Sequence, residues 1–393
     1  MRGVIQAVFR DHFAAWAGTR ALPPHVVKAA RALSTCRRAE RGYHYVACPE
    51  GHVAHKVYNA CRTRCCPLCA FMQAERWARK QFAKLLDCDY HHVIFTTAHE
   101  LHGLWQANRE RYAQLLFTAA WQTLQELLAD EKYLGALPGA VAALHTWEGH
   151  LLPHVHLHLL VTAGGLDAAG QWREPRKGPR LLPQGVVAQK FRGKFLAFLR
   201  AGIEAGTLVA PPEQSRESLL TLLNRLDKRR KASKKWHVQI MPRYAHGRGV
   251  VFYLARYVRG GPIGEQRILG YDGRELRLLD KHGRPFTLDA GEFLQRFLTH
   301  VPPAGMHVVR VFGLFHHAKR ALLNRARALK GQLPFEETRE PTWTELCAGR
   351  FPEPLRCPVC GRPLITVAVW APRVPPLAHA APRAPPPSAQ EAA

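Results

Sequence analysis

The spacing of apolar residues along the chain predicts a mixture of helices and strands. Apolar residues recur with helical periodicity in seven segments: 1–35, 71–86, 104–129, 185–203, 216–228, 291–299 and 313–329. Short segments rich in β-branched residues predict four strands, at 91–98, 140–147, 155–161 and 236–241. Residues 250–258 fit a helix or a strand by composition, and the turn residues "GYDG" predict a hairpin.

The order of these elements between residues 87 and 241 predicts the fold class. It runs strand, helix, strand, strand, helix, strand, which is the order of a split βαβ, ferredoxin-like unit with an antiparallel sheet. The strand at 155–161 would lie centrally, beside the strand at 140–147. The sequence therefore predicts an α+β protein, in which a ferredoxin-like domain follows a small N-terminal zinc-binding module.

Composition divides the chain into four parts. Residues 1–86 are predicted to form a helical and zinc-binding domain, and residues 87–330 the larger domain that contains the sheet. Residues 331–370 form a C-terminal segment with a candidate zinc knuckle. Residues 371–393 are rich in Pro and Ala, which predicts a disordered tail.

Histidines occupy alternate positions of the predicted central strand, "PHVHLHLLVTAGG" (153–165). Alternate residues of a strand point to one face, so His154, His156 and His158 would lie side by side. The intervening Val and Leu side chains would face the core. Such a row indicates a metal site, an acid–base cluster or the wall of a polar groove, and this segment alone does not decide among them.

The charge balance indicates the class of binding partner. The 393 residues include 56 Lys and Arg against 30 Asp and Glu, which gives a net charge of +26 and a pI of about 10.2. So large an excess favours a polyanionic partner, of which nucleic acid is the first to expect. The run "RLDKRRKASKK" (225–235) predicts phosphate contacts by Lys228, Arg229, Arg230, Lys231, Lys234 and Lys235.

The apolar segments do not indicate export or membrane insertion. Arg10, Asp11 and His12 interrupt the apolar start of the chain, and no stretch of about 18 apolar residues follows. We therefore expect no membrane partner and a cytoplasmic, nucleoid-associated protein whose thiols stay reduced. Ten cysteines in that compartment favour metal binding over disulfides.

Six potential zinc ligands crowd around the segment "YNACRTRCCPLC". They are Cys48, His52, Cys61, Cys65, Cys66 and Cys69. Cys66 and Cys69 have the spacing of a zinc knuckle, in which one tight turn supplies two thiolates to a tetrahedral site. Cys48 and Cys61 are the expected further ligands, with His52 or Cys65 as substitutes and Cys36 as a more distant choice. The Zn²⁺ would be structural.

A second knuckle, "CPVCG" (357–361), occurs in the C-terminal segment. Cys347 is the nearest further thiol in the sequence. Because two ligands make only half of a tetrahedral site, this spacing leaves zinc binding open.

Two tyrosines stand four residues apart in "FYLARY". In a helix Tyr253 and Tyr257 would share a face, with Arg256 and Arg259 close by. A phenol, whose reference pKa is about 10, is a poor nucleophile unless a metal and basic groups stabilise the developing charge. The same spacing also suits two core aromatic residues.

Together these motifs resemble the IS91 family of rolling-circle transposases, in the class of single-strand nucleases with a histidine–hydrophobic–histidine motif and a catalytic tyrosine. The resemblance spans roughly residues 20–330. Its segments are, in order, "YNACRTRCCPLC", "HHVIFTTAHEL", "HTWEGHLLPHVHLHLLVTAGGL", "VVFYLARYVRG" and "EFLQRFLTHVPPAGMHVVRVFGLF". It implies that residues 87–330 are a catalytic domain, which nicks and rejoins single-stranded DNA of the element ends and the target.

The resemblance also implies roles for single residues. His156 and His158 would bind Mg²⁺ or Mn²⁺, although the register His154–His156 is an alternative. Candidates for a third ligand are His154, His145 and Gln239. Tyr253 and Tyr257 match the family's tyrosine pair, of which one would attack DNA and hold the 5′-phosphate.

The chain departs from the family pattern at three places, and two other functions fit parts of it. "CPEGH" replaces a Cys-x2-Cys knuckle, Cys65 stands where His is common, and "GGPIGEQRIL" lacks the usual Ser-Asn. "HVHLHLL" also suits a histidine-triad nucleotide hydrolase, whose activity would survive loss of both tyrosines. A non-enzymatic zinc-dependent DNA-binding protein would bind single-stranded DNA without cleaving it.

Overall fold

The computed structural model describes seven stretches of the chain: 3–18, 20–175, 181–228, 237–337, 339–342, 345–346 and 356–371, without the side chains of Arg256, Tyr257 and Arg259. The backbone divides into two compact units. The larger unit comprises Met1–Ser34 and Arg62–Phe351, and the smaller unit comprises Thr35–Cys61 and Pro352–Ala393. Arg229, Arg230, Lys231, Lys234, Lys235, Cys347 and the predicted tail from residue 372 onward lie outside the described residues.

The elements follow one another as a mixture of helices and strands. The helices are α1 (Val4–Ala17), α2 (Pro24–Ser34), α3 (Pro67–Phe82), α4 (His102–Ala107), α5 (Arg109–Ala129), α6 (Gln184–Glu204), α7 (Arg216–Lys228), α8 (Arg248–Arg259), α9 (Ala290–Thr299) and α10 (Arg320–Leu329). The strands are β1 (Tyr43–Ala47), β2 (Ala54–Tyr58), β3 (Tyr90–Thr96), β4 (Gly139–Trp147), β5 (Pro153–Thr162), β6 (Gly165–Leu166), β7 (Trp172–Arg173), β8 (Val238–Tyr244), β9 (Ile268–Tyr271), β10 (Glu275–Leu279), β11 (Pro285–Asp289), β12 (Val309–Gly313) and β13 (Ile365–Trp370).

A five-stranded sheet forms the centre of the larger unit. Its strand order is β12-β4-β5-β3-β8, and each strand is antiparallel to its neighbours. Alternation along β5 sends Leu157 and Leu159 to one face, where they are buried with Phe95 of β3 and with Phe117 and Phe191 of the helices α5 and α6. This core fixes the register of β5, since a slip by one residue would place its histidines in the core instead.

The opposite face of the sheet packs against α8. Val251, Leu254 and Ala255 of α8 join a second buried cluster with Ala143 of β4 and Leu160 of β5. Helix α3 supports α8 from its other side (the rings of Phe82 and Phe252 lie 4.9 Å apart). The helix with the tyrosine pair is therefore held over the sheet face that carries the histidines.

A smaller three-stranded sheet makes up most of the described part of the smaller unit. Its order is β13-β1-β2, with both pairs antiparallel. Every residue of β2 and β13 is exposed, and among the described strand residues here only Val46 is buried. This sheet therefore has little apolar burial of its own.

The class α+β is confirmed, and the closer ferredoxin-like description stays a prediction. The predicted hairpin at "GYDG" forms between β9 and β10, and residues 250–258 are helical. In the part of the chain that the structure describes, each helix is too short or too polar to cross a bilayer.

Several predicted element boundaries are wrong. The helix expected over 1–35 is interrupted between Ala17 and Pro24, because Gly18 and two prolines break the ladder of hydrogen bonds. The helix expected at 313–329 begins only at Arg320. Residues 309–313 instead pair with β4. Glycine suits position 313 for two reasons: its φ is 57°, and a Cβ there would lie 1.8 Å from the carbonyl oxygen of Pro138.

Candidate active site

The pairing register brings three histidines of two strands together. His156 lies opposite His145 of β4, and His158 lies opposite Ala143, so the three imidazoles share the face that α8 covers. One ring nitrogen from each of His145, His156 and His158 lies within 4.8 Å of the others. This spacing can place the three nitrogens around a single metal ion.

The backbone fixes the tautomer of His156. Its Nδ1 lies 2.8 Å from the carbonyl oxygen of His154. Because a carbonyl can only accept a hydrogen bond, Nδ1 carries the proton and Nε2 keeps the lone pair that a metal ligand needs.

His92 of β3 joins this cluster, although the sequence did not mark it. Its Nε2 lies 2.7 Å from Nδ1 of His158, and the two rings stack with centroids 4.9 Å apart. The contact follows from the register of β3 and β5. Ile94 pairs with His158, and His92 lies two residues from Ile94 and therefore on the same face of the sheet. This hydrogen bond fixes the orientation of the two rings relative to each other.

Burial keeps the imidazoles neutral. It lowers the pKa of His92 to about 4, and together with the neighbouring His154 it lowers the pKa of His156 to about 3. Burial also lowers the pKa of His145 and His158 well below the usual range, with a further lowering by adjacent histidines. At neutral pH the cluster therefore offers lone pairs instead of positive charges.

Tyr253 lies above the histidines. Its ring centroid is 5.6 Å from that of His158, 5.8 Å from that of His92 and 6.3 Å from that of His145. The residue is 39% exposed, so one side of the phenol faces solvent while the other contacts the cluster. Tyr257, Arg256 and Arg259 follow in the same helix, and their side chains lie outside the described part.

The three candidates for a third metal ligand lie at different distances from His156 and His158. His145 belongs to the group of converging ring nitrogens. The ring centroid of His154 lies 4.8 Å from that of His156, one step further along β5. Gln239 is exposed on β8, which is separated from β5 by β3. Lys228, from the basic run, is exposed at the last residue of α7.

The first cysteine knuckle stands at the start of α3. Cys66 is the N-cap residue, Pro67 occupies the first turn, and the backbone N–H of Cys69 donates to the carbonyl of Cys66. The amide of Gln6 donates to Sγ of Cys66 at 3.4 Å. Both thiols are buried, in agreement with a structural role for this turn.

Cys65 lies next to this knuckle and is buried as well. Its carbonyl approaches Gly261 so closely that a Cβ at Gly261 would lie 2.2 Å away. Gly261 also has a φ of 72°, which disfavours other residues. Packing and backbone conformation thus explain Gly261, the second glycine after the tyrosine helix.

The smaller unit holds the remaining predicted cysteines in two groups. The backbone N–H of Cys61 lies 3.5 Å from Sγ of Cys36, to which it donates. Cys48 and His52 lie beside the C-terminal knuckle, and the ligand atoms of Cys48, His52, Cys357 and Cys360 are all within 4.8 Å of one another.

Comparison with known families gives the class of the protein. Residues 139–322 match the family described as "Putative transposase", and residues 8–97 match the family described as "Transposase zinc-binding domain". The chain is therefore a transposase that carries a zinc-binding domain, and transposases are DNA-cleaving enzymes.

Two relatives narrow this class. The chain is 33% identical to "Putative transposase y4qJ" of Sinorhizobium fredii (strain NBRC 101917 / NGR234), over 74% of each chain. It is 28% identical to "Transposase for insertion sequence element IS801" of Pseudomonas savastanoi pv. phaseolicola, over 86% of this chain and 82% of that protein. The chain belongs to the IS91 family of transposases. No solved structure matches it significantly.

Proposed function

We propose that this transposase nicks and rejoins single-stranded DNA with Tyr253 as nucleophile, next to a divalent ion held by His145, His156 and His158. The observation that carries the proposal is the position of a solvent-accessible phenol directly above three converging imidazoles. A core tyrosine would be buried, whereas Tyr253 is accessible to a DNA strand.

The residues fit a divalent ion. Three neutral imidazoles would supply nitrogen ligands, and DNA and water would supply oxygen ligands. Mg²⁺ prefers oxygen ligands, so between the two expected ions Mn²⁺ suits this set better. When bound, the ion would polarise the scissile phosphate as a Lewis acid.

The reaction conserves the phosphodiester energy. Tyr253 Oη attacks phosphorus and loses its proton to solvent, the bond from phosphorus to the 3′ oxygen breaks, and that oxygen takes up a proton. The DNA keeps a free 3′-hydroxyl, and its 5′-phosphate stays on Tyr253 until another 3′-hydroxyl reverses the step. Tyr257, one helical turn further, would serve a second strand transfer in rolling-circle transposition.

Basic residues would hold the strand. Arg256 and Arg259 follow Tyr253 in α8, and Lys228 begins the basic run of residues 228–235. Phosphate contacts of this kind position DNA without reading its sequence. We propose that this run binds single-stranded DNA, and binding should therefore weaken steeply as salt is added.

We further propose a structural Zn²⁺ at the knuckle of Cys66 and Cys69, whose thiols are both buried. One tight turn that supplies two thiolates is half of a standard tetrahedral zinc site. The choice of its further ligands stays a prediction from the sequence.

A covalent-adduct assay tests the nucleophile. The protein is incubated with labelled single-stranded oligonucleotides from element ends, with Mg²⁺ or Mn²⁺, and the products are separated on a denaturing gel. Tyr253→Phe should abolish the adduct but retain DNA binding, and Tyr133→Phe serves as control. If Tyr253→Phe forms the adduct normally and Tyr257→Phe does not, the roles are reversed. Binding without an adduct from either tyrosine would favour the non-enzymatic alternative.

Substitution of the histidines tests the metal site. His156→Ala and His158→Ala should each lower cleavage at least about 1,000-fold, with an unchanged circular dichroism spectrum. His55→Ala, at an exposed position of β2, is the matched control. Full cleavage by both variants would overturn the metal assignment, and metal-independent nucleotide hydrolysis would favour the histidine-triad alternative.

A further inference from the structure

We infer that Cys48, His52, Cys357 and Cys360 form a second structural zinc site, which joins two segments about 300 residues apart. The transposase zinc-binding family match ends at residue 97, so it does not include the C-terminal knuckle. That knuckle lacked two ligands in the sequence, and the structure supplies them from the turn between β1 and β2. The site is independent of the proposed tyrosine chemistry.

The distances within the group match a tetrahedral site. Sγ of Cys48 lies 3.5 Å from Sγ of Cys360 and 3.6 Å from Nδ1 of His52, and Sγ of Cys357 lies 3.8 Å from the same nitrogen. Zn–S bonds of about 2.3 Å and Zn–N bonds of about 2.0 Å at tetrahedral angles would separate the ligand atoms by roughly 3.5–3.8 Å. A Cys₃His set is one of the standard closed zinc sites.

The two turns share one kind of backbone-to-thiol hydrogen bond. In the first, the N–H of Glu50 donates to Sγ of Cys48 at 3.4 Å, and in the second the N–H of Val359 donates to Sγ of Cys357 at 3.4 Å. A glycine with left-handed φ follows in each turn, 76° at Gly51 and 71° at Gly361. Such N–H donors stabilise thiolate charge, which is the form of cysteine that binds zinc.

The departure "CPEGH" from the family's Cys-x2-Cys spacing also fits this site. His52 stands one residue beyond the second cysteine position of a knuckle, and its Nδ1 nevertheless reaches both Cys48 and Cys357. Glu50, in the middle of this turn, forms an ion pair of 2.6 Å with Arg362, directly after the other turn. The pair is exposed and therefore contributes little stability by itself.

The sheet attached to these turns needs such a site. β1 ends before Cys48, β2 begins after His52, and β13 follows the C-terminal knuckle. With the strand residues largely exposed, apolar burial cannot hold β13 against β1. Zinc binding at the shared turns would supply this free energy, as in other small zinc modules.

A disulfide explains the group less well. The Cys48–Cys360 sulfur separation of 3.5 Å exceeds the S–S bond length of about 2.05 Å, and a disulfide would leave no role for His52. Cys48, Cys357 and Cys360 form no disulfide in the part of the chain that the structure describes.

Zinc content of the purified full-length protein tests the inference. The double variant Cys357→Ser/Cys360→Ser should contain about one zinc ion per chain fewer than the wild type, by mass spectrometry of the metal. Cys88→Ser, which removes a thiol outside the grouped ligands, is the matched control and should keep the full content. Equal zinc content in the wild type and the double variant would overturn the site.

Two variants of His52 separate ligand loss from misfolding. His52→Cys keeps four ligands and should retain the zinc, whereas His52→Ala should lose it or bind it at least about tenfold more weakly. With Co²⁺ in place of zinc, His52→Cys should also change the visible absorption of the site. Unchanged zinc affinity in His52→Ala, with an unchanged cobalt spectrum in His52→Cys, would exclude His52 as a ligand.

Discussion

The central sheet and the small sheet of β13-β1-β2 differ in how they are stabilised. In the central sheet, Phe95 and Leu157 are fully buried, and helices cover both faces. In the small sheet, Val367 is 53% exposed and Trp370 is 58% exposed. The first can be held by apolar burial, while the second has little of it, and we propose that zinc at its turns stabilises it instead.

This difference explains where each kind of metal site can exist. The core under β5 supports the strand that carries His156 and His158, and such support is the preorganisation that the proposed reacting site would need. The turns with Cys48, His52, Cys357 and Cys360 belong to a sheet with little apolar burial, so the proposed zinc would stabilise the protein there. In this proposal, one chain would use histidines on a supported sheet for chemistry and cysteines at the turns of a small sheet for structure.

Removal of zinc should give the largest difference in amide protection between the two sheets. After treatment with a strong chelator and a reductant, amides of β1 and β13 should exchange at the rates of an unfolded peptide, since apolar burial there is small. Amides of β4 and β5 should keep their protection. Hydrogen exchange measured by mass spectrometry resolves the peptides concerned.

The control for this experiment is addition of Zn²⁺ to the stripped protein, which should restore protection in β1 and β13. If the small sheet stays protected without metal, its stability has another source and the contrast between the two sheets fails. Equal loss of protection in β5 would show that the central sheet also depends on zinc.

The sequence predicts four of the five strands of the central sheet because their signals are local. The alternation in "HVHLHLLV" belongs to one strand, which the core confirms. The helical spacing of 104–129 is also local, but the structure divides this predicted helix at Asn108 into α4 and α5. β1, β2 and β13 were not predicted, although the sequence "ITVAVW" of β13 is rich in β-branched residues. β12 was not predicted, and its last residue, Gly313, was assigned to the helix expected at 313–329.

The sites show the same limit. His156 and His158 could be found in one segment, but the contact of His92 depends on the register between β3 and β5. The distance between Cys48 and Cys360 depends on strand pairing across about 300 residues, and the spacing of residues within one local motif does not predict such a pairing. Local motifs therefore indicated candidate residues, and the fold was needed to show which of them lie together.

Large-to-small substitutions should show the next largest contrast. Phe95→Ala should lower the free energy of unfolding by about 3–5 kcal/mol, because it opens a cavity beneath the central sheet. Val367→Ala, on the exposed β13, should change it by less than about 0.5 kcal/mol. Urea unfolding followed by circular dichroism measures both, and similar losses for the two variants would contradict the contrast.

Acid should weaken the larger unit through His300. Burial, with a smaller contribution from Arg109, lowers the pKa of His300 to about 4, although its hydrogen bond to the Leu151 carbonyl opposes the shift. The unfolded pKa is near 6.5, so the unfolded chain binds more protons between pH 6.5 and 4. Stability is therefore fully present above pH 6.5 and falls as the pH approaches 4.

At pH 5 the titration of His300 should lower the free energy of unfolding by about 2 kcal/mol. His300→Gln can keep a donor to Leu151 without titrating, so its stability should fall by that much less between pH 7 and 5. Urea unfolding of the metal-free proteins at both pH values gives the comparison. An identical pH dependence in wild type and variant would show that His300 does not contribute.

The smallest effect concerns the contact between the knuckle helix α3 and the tyrosine helix α8. The rings of Phe82 and Phe252 meet edge to face at 4.9 Å, next to Tyr253 in the sequence. A double-mutant cycle with Phe82→Leu and Phe252→Leu should give a coupling of about 0.5–1.5 kcal/mol in the free energy of unfolding.

If α3 also positions Tyr253, each single variant should slow adduct formation without weakening DNA binding. Coupling without any change in adduct formation would limit α3 to a stabilising role, and it would leave the placement of Tyr253 to the sheet side of α8.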